Sequence, residues 1–366
     1  MAEIALPVII TAIANSDLEG FVAGALYSQG WNVVYRALDS SSLDLYLESH
    51  TELRSDAVLI YSPDLPGLSP TNISEYQSKT RQVIGFSSDP TLHSEYVGIY
   101  RTPLDAAELL NLVRGFVRAP LLRNSPVEKV RKRRARVIAI GTPSGSSGCT
   151  TLAINLAMEL SILQRETLLL DADVRRPSIA PLLALHKLGA DEFARTVAPH
   201  LSVSEFTQDR MSNLDEYLDH LTENYDLLII DLGAIDGISD ALTDRRWTSS
   251  LVHWSCEKAD ELWFLGRADT LGIHRLESLA RDFSQITIRA KVSVLLNMRA
   301  PGRKGSDRDA LFLTTANSLR PQRTYTLPRD NRSVIKAAEE RSTLVEVDDR
   351  SPLRRAISKL AVELIS

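Results

Sequence analysis

The segment 141–151, GTPSGSSGCTT, constrains this chain more than any other stretch. It follows the apolar run Val137-Ile138-Ala139-Ile140 and precedes an apolar helix predicted from Leu152 to about Leu163. A strand that enters a Gly/Ser-rich turn and leaves as a helix gathers successive backbone N–H groups and a helix N-terminus around one point, where a phosphate can sit. Gly145 and Gly148 permit the tight turn and a close approach, and Thr150 or Thr151 stands where a hydroxyl coordinates Mg²⁺. The residue before Thr150 is Cys149, where an ordinary phosphate loop has lysine. Two readings stand: a cradle that still receives phosphate, or a connection that only holds the fold.

Downstream, Thr167 to Asp173 (TLLLDAD) is a strand ending in two carboxylates, and Tyr225 to Asp231 (YDLLIID) is a strand ending in one. Carboxylates so placed hold Mg²⁺ opposite a phosphate loop, directly or through water, so Asp171, Asp173 and Asp231 are candidates beside Thr150. Further strands are predicted at Glu261–Gly266, Val292–Asn297 and Arg323–Leu327, with helical segments such as Ile273–Phe283 between them. The pattern is a parallel α/β sheet.

Ahead of this lies a second set of short β-branched runs, at 7–13, 32–36, 57–61 and 82–86, with a fifth around Val97–Arg101. Each is spaced from the next by room for one helix, and Asp105–Val117 has apolar residues recurring at three and four. That predicts a doubly wound five-stranded α/β domain. The opening run is read as a buried strand rather than a leader, because the charge ahead of it is the acidic Glu3 rather than a basic side chain and the run is too short to span a bilayer. The chain of 366 residues therefore divides into 1–118, a joint at 119–136, and 137–366. Charge follows the same cuts. Residues 1–118 carry 7 basic and 14 acidic side chains, the joint 7 and 1, and the remainder 28 and 32. The joint, centred on Lys129 to Arg136, is read either as a solvated linker or as a contact for acidic lipid, nucleic acid or an acidic partner. Two cysteines, Cys149 and Cys256, make no disulfide framework, which fits a reducing, cytoplasmic setting. His186, His200, His220, His253 and His274 show no metal-ligand spacing.

The order of loop, D-x-D strand and Asp-ended strand over 136–366 resembles the ParA/MinD branch of P-loop proteins, with its deviant Walker A loop K-G-G-x-G-K-T-T. The resemblance places Ser144 at the signature lysine, Gly145, Ser146 and Gly148 at the glycines, and Cys149 at the P-loop lysine. Thr150 and Thr151 match its hydroxyls, Asp171 and Asp173 its D-x-D, Asp231 its Walker B aspartate, and Asn297 its base-reading asparagine. It implies ATP or ADP with Mg²⁺ on Thr150, Asp171 and Asp231, with Asp173 and Asp231 nearest the chemistry. Residues 1–118 resemble a response-regulator receiver (flavodoxin-like) domain, through Asp56-Ala57-Val58-Leu59-Ile60 before Pro66-Gly67, and Thr102-Pro103-Leu104 before the last helix. The family's charged groups are absent: Ala14 and Asn15 replace its acidic pair, Tyr61 or Ser62 its phosphoryl acceptor, and Thr102 its lysine. Ser87 or Ser88 matches a hydroxyl. The first domain is thus a pseudo-receiver.

Receiver-like followed by ParA/MinD-like resembles the CpaE/TadZ group of pilus assembly and localisation proteins, and septum-site-determining homologues with the same layout. The implied protein is a cytoplasmic dimer at a pole or septum, a scaffold for pilus or secretion assembly that recruits an assembly ATPase or polar and septal factors. Without both lysines, efficient hydrolysis is not expected, since preorganised cations meet the charge of phosphoryl transfer. An active partitioning or septum-site ATPase is the competing reading, and it needs a substitute cation such as Arg175 or Arg176. Cys149 is read as an inert small residue or as a thiol acidified by its helix N-terminus. Leu353, Ile357, Leu360 and Leu364 form one face of a last helix, for packing or for a membrane surface. Arg299, Arg303, Lys304 and Arg308 make a solvated loop or a nonspecific DNA contact, and Trp247, Trp254 and Trp263 a core or a dimer face.

Overall fold

The computed structural model describes residues 8–53, 56–89, 91–92, 95–118, 134–143, 145–191, 194–235, 247–283, 288–299 and 306–365. Ser144, most of the basic joint (119–133), and Arg303 and Lys304 lie outside them. The chain forms two compact units, Met1–Arg123 and Asn124–Ser366.

In the first unit, β1 (Val8–Ala12), β2 (Asn32–Arg36), β3 (Ala57–Tyr61), β4 (Gln82–Ser87) and β5 (Ile99–Arg101) form one parallel sheet in the order β2-β1-β3-β4-β5. This is a doubly wound order, as the alternation of runs predicted. Helices α1 (Ser16–Ser28), α2 (Ser40–Ser49), α3 (Pro70–Lys79) and α4 (Ala106–Arg118) start where polar side chains can meet free N–H groups. Asn15 accepts from Asp17 N and Leu18 N, and Asp39 and Ser69 close capping boxes with Ser42 and Asn72. Successive strand residues feed opposite faces: Val58 and Ile60 pack with α1 and α4, Leu59 and Tyr61 with α2 and α3.

The second unit holds eight strands: β6 (Arg136–Thr142), β7 (Thr167–Asp171), β8 (Arg195–Ala198), β9 (Leu201–Glu205), β10 (Leu227–Ala234), β11 (Glu261–Arg267), β12 (Lys291–Arg299) and β13 (Arg323–Pro328). Their order is β13-β12-β11-β6-β10-β7-β9-β8, parallel except that β8 runs antiparallel to β9. The sequence reading lacked β8 and β9, whose runs are short and join through the tight Pro199-His200 turn, with His200 at φ 58.

Helix α5 (Cys149–Ile162) starts three residues earlier than the apolar run suggested, because Gly148 at φ 89 turns the chain directly into its first turn. It is buried along nearly its whole length, its Glu159 included. That carboxylate is met by Arg354 at 2.5 Å and 3.2 Å, from the helix Pro352–Ile365. Leu353, Ile357, Leu360 and Leu364 of that helix all join the same core as α5, so its apolar face is taken up by packing. No helix among the described residues is long and apolar enough to cross a membrane. Trp254 and Trp263 are core residues, Trp263 donating its indole N–H to Glu261 Oε2 at 2.8 Å, and half-buried Trp247 packs near Phe206. Of the two readings, a core or a dimer face, Trp254 and Trp263 take the core one.

Candidate functional site

At the carboxyl ends of the central strands, Asp231 on β10 is the register neighbour of Ile140 on β6 and of Asp171 on β7. The loop 141–148 leaves β6 at this point, with Ser146 at φ 60 and Gly148 at φ 89. No side chain caps α5, so N–H groups of its first turn are left for a ligand. Loop residues Gly145 to Thr151, with Asp173, Arg176 and Gly233, line a cleft of about 270 Å³. Six of the expected residues (Gly145, Ser146, Gly148, Cys149, Thr150 and Thr151) and Asp173 are therefore brought together.

Cys149 lies in the loop but turns inward. Its Sγ donates toward Asp231 Oδ1 at 3.1 Å, with Ile140 O at 3.3 Å, and the residue is 5% exposed. Burial pushes the thiol well above its usual range, and the Asp231 carboxylate adds to the effect. The acidified thiol considered for a helix N-terminus is thus replaced by a neutral S–H, because burial and the neighbouring Asp231 carboxylate both disfavour the thiolate. The position supplies no positive charge to a phosphate.

Asp231 is buried; Oδ1 also accepts from Gly233 N at 3.1 Å, and Oδ2 has no hydrogen-bond partner. Burial raises its pKa above the ordinary carboxylate range. An orphaned buried carboxylate oxygen beside Cys149 and Thr150 suits a bound cation. Among the described residues no three His, Cys, Asp or Glu side chains could hold a metal by themselves. Mg²⁺ commonly takes one or two carboxylates and fills its shell with water and substrate phosphate, so the Thr150 hydroxyl and Asp231 Oδ2 are the groups that fit it.

Asp171 does not. Its Oδ2 accepts from Ser178 N and Ile179 N, both at 2.9 Å, and its Oδ1 from Asp173 N at 3.3 Å. Burial pushes it up to about 7. The expectation of Asp171 as a metal ligand is corrected to a structural role, since its oxygens close the turn that carries Asp173 and Arg176. Asp173 faces the cleft across Gly233, which has φ 63; a Cβ there would lie 2.1 Å from Asp173 Oδ2. Gly233 was not singled out from sequence, although a glycine two residues past a strand-end aspartate was the available signal.

Asn297, expected to read a base, is buried, and its Nδ2 donates to Ser147 O at 2.7 Å. A Cβ on Gly148 would lie 2.6 Å from that nitrogen. In this structure the asparagine clamps the loop.

No family model matches the chain, and no curated protein matches it. Among solved structures it is similar to a ParA family ATPase from Chlorobium tepidum TLS, at TM-score 0.48 and 18% identity, over 62% of this chain and 98% of that one. It is similar also to the septum site-determining protein MinD of Pyrococcus horikoshii OT3 complexed with Mg-ADP, at 0.49 and 18%, over 63% and 96%. A third is the MinD cell division protein of Aquifex aeolicus, at 0.49 and 17%, over 63% and 97%.

The strand ends of the first unit hold no comparable chemistry among the described residues. Tyr61 is fully buried; its hydroxyl donates to Val97 O at 2.6 Å, and its ring fills the space where Gly85 has no Cβ. Buried Ser62 accepts from Ala14 N at 3.1 Å, and exposed Asn15 caps α1. Ser88 Oγ lies 3.3 Å from Thr102 Oγ1, so the hydroxyl and lysine positions of the resemblance meet as two neutral groups. Arg299, in the second unit, pairs with Asp309 at 2.9 Å.

Proposed function

We propose that this protein is a catalytically degenerate ParA/MinD-like positioning or scaffold protein of CpaE/TadZ type, which binds Mg-ATP or Mg-ADP and turns it over poorly. The observation that carries this is Cys149, directed into the sheet against Asp231 while the loop above it keeps a phosphate cradle. The cradle and the orphaned Asp231 Oδ2 support binding. The neutral thiol argues against hydrolysis, because losing one preorganised donor commonly costs about 10²–10³ in rate. The first unit, with the doubly wound order and neutral strand ends, is proposed as a pseudo-receiver that docks a partner without being phosphorylated. The proposed setting is a cytoplasmic dimer at a pole or septum, serving a pilus, secretion or septal assembly.

Calorimetric titration of the full-length protein with Mg-ADP and Mg-ATP tests the binding half. Saturable binding with a Kd below about 1 mM is expected, abolished by Gly148→Val, which forces a side chain onto the φ 89 position and into Asn297. No binding by the unaltered protein would contradict the proposal and leave the loop as a connection.

A further inference from the structure

We propose that Arg176 supplies, from the turn after β7, the positive charge that the loop itself lacks, and so makes the cleft select a nucleoside diphosphate or triphosphate over a monophosphate. This rests on the nucleotide reading above. Two successive arginines follow Asp173 and Val174, and the structure separates them: Arg176 lines the cleft, and Arg175 does not. A Cβ built on Gly145 would lie 3.7 Å from Arg176 Nη1, so the exposed guanidinium stands beside the loop's glycine at the mouth of the cleft.

The backbone under Arg176 is fixed on both sides. Its N–H donates to Asp173 Oδ1 at 3.1 Å and to Asp173 O at 2.9 Å, and its carbonyl accepts from Ser178 Oγ at 2.7 Å. Asp171, through Ser178 N and Ile179 N, closes the same turn. The arginine therefore issues from a braced point. The guanidinium is exposed at the cleft and its charge acts on Asp173. Asp173 is the carboxylate it faces, and the arginine helps to hold that group ionised against burial. A planar fork of N–H donors facing a ring of backbone N–H groups matches the charge and shape of a phosphate, which arginine binds bidentately.

The second, independent sign of a ligand is Asp231 Oδ2, which has no partner and belongs to a residue only 1% exposed, directly behind Cys149. A cleft with an arginine on one wall and an unpaired buried carboxylate oxygen beneath is arranged for an anion carrying its own cation. In a P-loop the cradle holds the inner phosphates and the lysine reaches the outer ones. With the lysine position facing inward, the outer phosphates are left to Arg176. The monophosphate, which has none, gains nothing from it.

Full-length protein is titrated with Mg-ADP and with AMP, unaltered and as Arg176→Gln, Arg176→Lys and Arg175→Gln. Arg176→Gln is expected to weaken Mg-ADP binding by about 10- to 100-fold, the scale of a lost charged hydrogen bond, while AMP changes by less than about threefold. Arg176→Lys should recover part of the loss, and Arg175→Gln should match the unaltered protein. Unchanged Mg-ADP affinity in Arg176→Gln overturns this inference alone, and so does a loss shared equally by AMP. Failure of the unaltered protein to bind Mg-ADP overturns the nucleotide reading and this inference with it.

Discussion

The two units offer the same kind of point for a site, the carboxyl ends of a parallel sheet, and carry different amounts of charge there. In the first unit, Ala14, Asn15, Tyr61, Ser62 and Thr102 are all neutral, and the strand end is closed by Tyr61 packed over Gly85. In the second, Asp173 and Asp231 remain, the loop remains open to a cleft, and Cys149 replaces the cation of the loop. The difference teaches what two kinds of residue do to a strand end. Filling it with a buried aromatic side chain commits it to the core, whereas exchanging lysine for a small thiol preserves the shape and removes a charge.

The sharpest way to break this comparison is Tyr61→Asp, which puts a carboxylate at the end of β3 in the first unit. The ring lost is fully buried, so the substitution should cost about 3–5 kcal/mol, before any penalty for burying a charge. Denaturant unfolding measures the loss, and acetyl phosphate should leave no acid-labile label on either form. Labelling of the variant at ordinary stability would show that the first unit had kept its machinery.

A smaller effect is expected where the second unit's cleft is held in shape. Asn297→Ala removes the hydrogen bond from Nδ2 to Ser147 O, at a cost of about 0.5–1.5 kcal/mol. Faster amide exchange across 145–150 together with weaker Mg-ADP binding is the expected pair of results. A loss of stability with exchange unchanged there would remove the clamp from the account.

The smallest effect lies away from both strand-end sites and serves as their control. His200 Nδ1 meets Glu166 Oε1 at 2.7 Å on the β8–β9 turn, and that hydrogen bond raises the imidazole above its ordinary 6.5. A raised histidine stabilises fully below about pH 6.5 and loses its contribution as pH rises through the folded value. Both side chains are a third or more exposed, so screening reduces the pair to a few tenths of a kcal/mol. Melting of wild type and His200→Asn should differ at about pH 5 to 6 and converge by about pH 9, with nucleotide binding the same in both. Divergence that grows with pH would contradict the assignment.

Apart from β8 and β9, the strands of both sheets were legible because buried parallel strands are runs of β-branched and aliphatic residues, as in Ala57–Tyr61 and in Leu227–Asp231. The loop was legible from its glycines and its position after a strand. What the sequence did not show was direction. Cys149 and Asp171 sit at expected positions, yet one points beneath the loop and the other into a turn, because burial and backbone N–H groups compete with the ligand for the same atoms. Asn297 likewise found a carbonyl 150 residues away in the chain before it could face a base. Between Arg175 and Arg176 only three-dimensional placement chooses.

The central claim is that the second unit has a phosphate cradle whose loop carries Cys149 in place of a lysine, and that Arg176 serves binding without replacing that lysine in hydrolysis. Its most direct test is single-turnover hydrolysis of Mg-ATP by the full-length protein, measured beside Cys149→Lys with nucleotide saturating for both. The account predicts bound, unhydrolysed ATP in the unaltered protein and hydrolysis faster by about 10²-fold or more in the lysine variant. Hydrolysis by the unaltered protein at the variant's rate, abolished by Asp231→Ala, would contradict it.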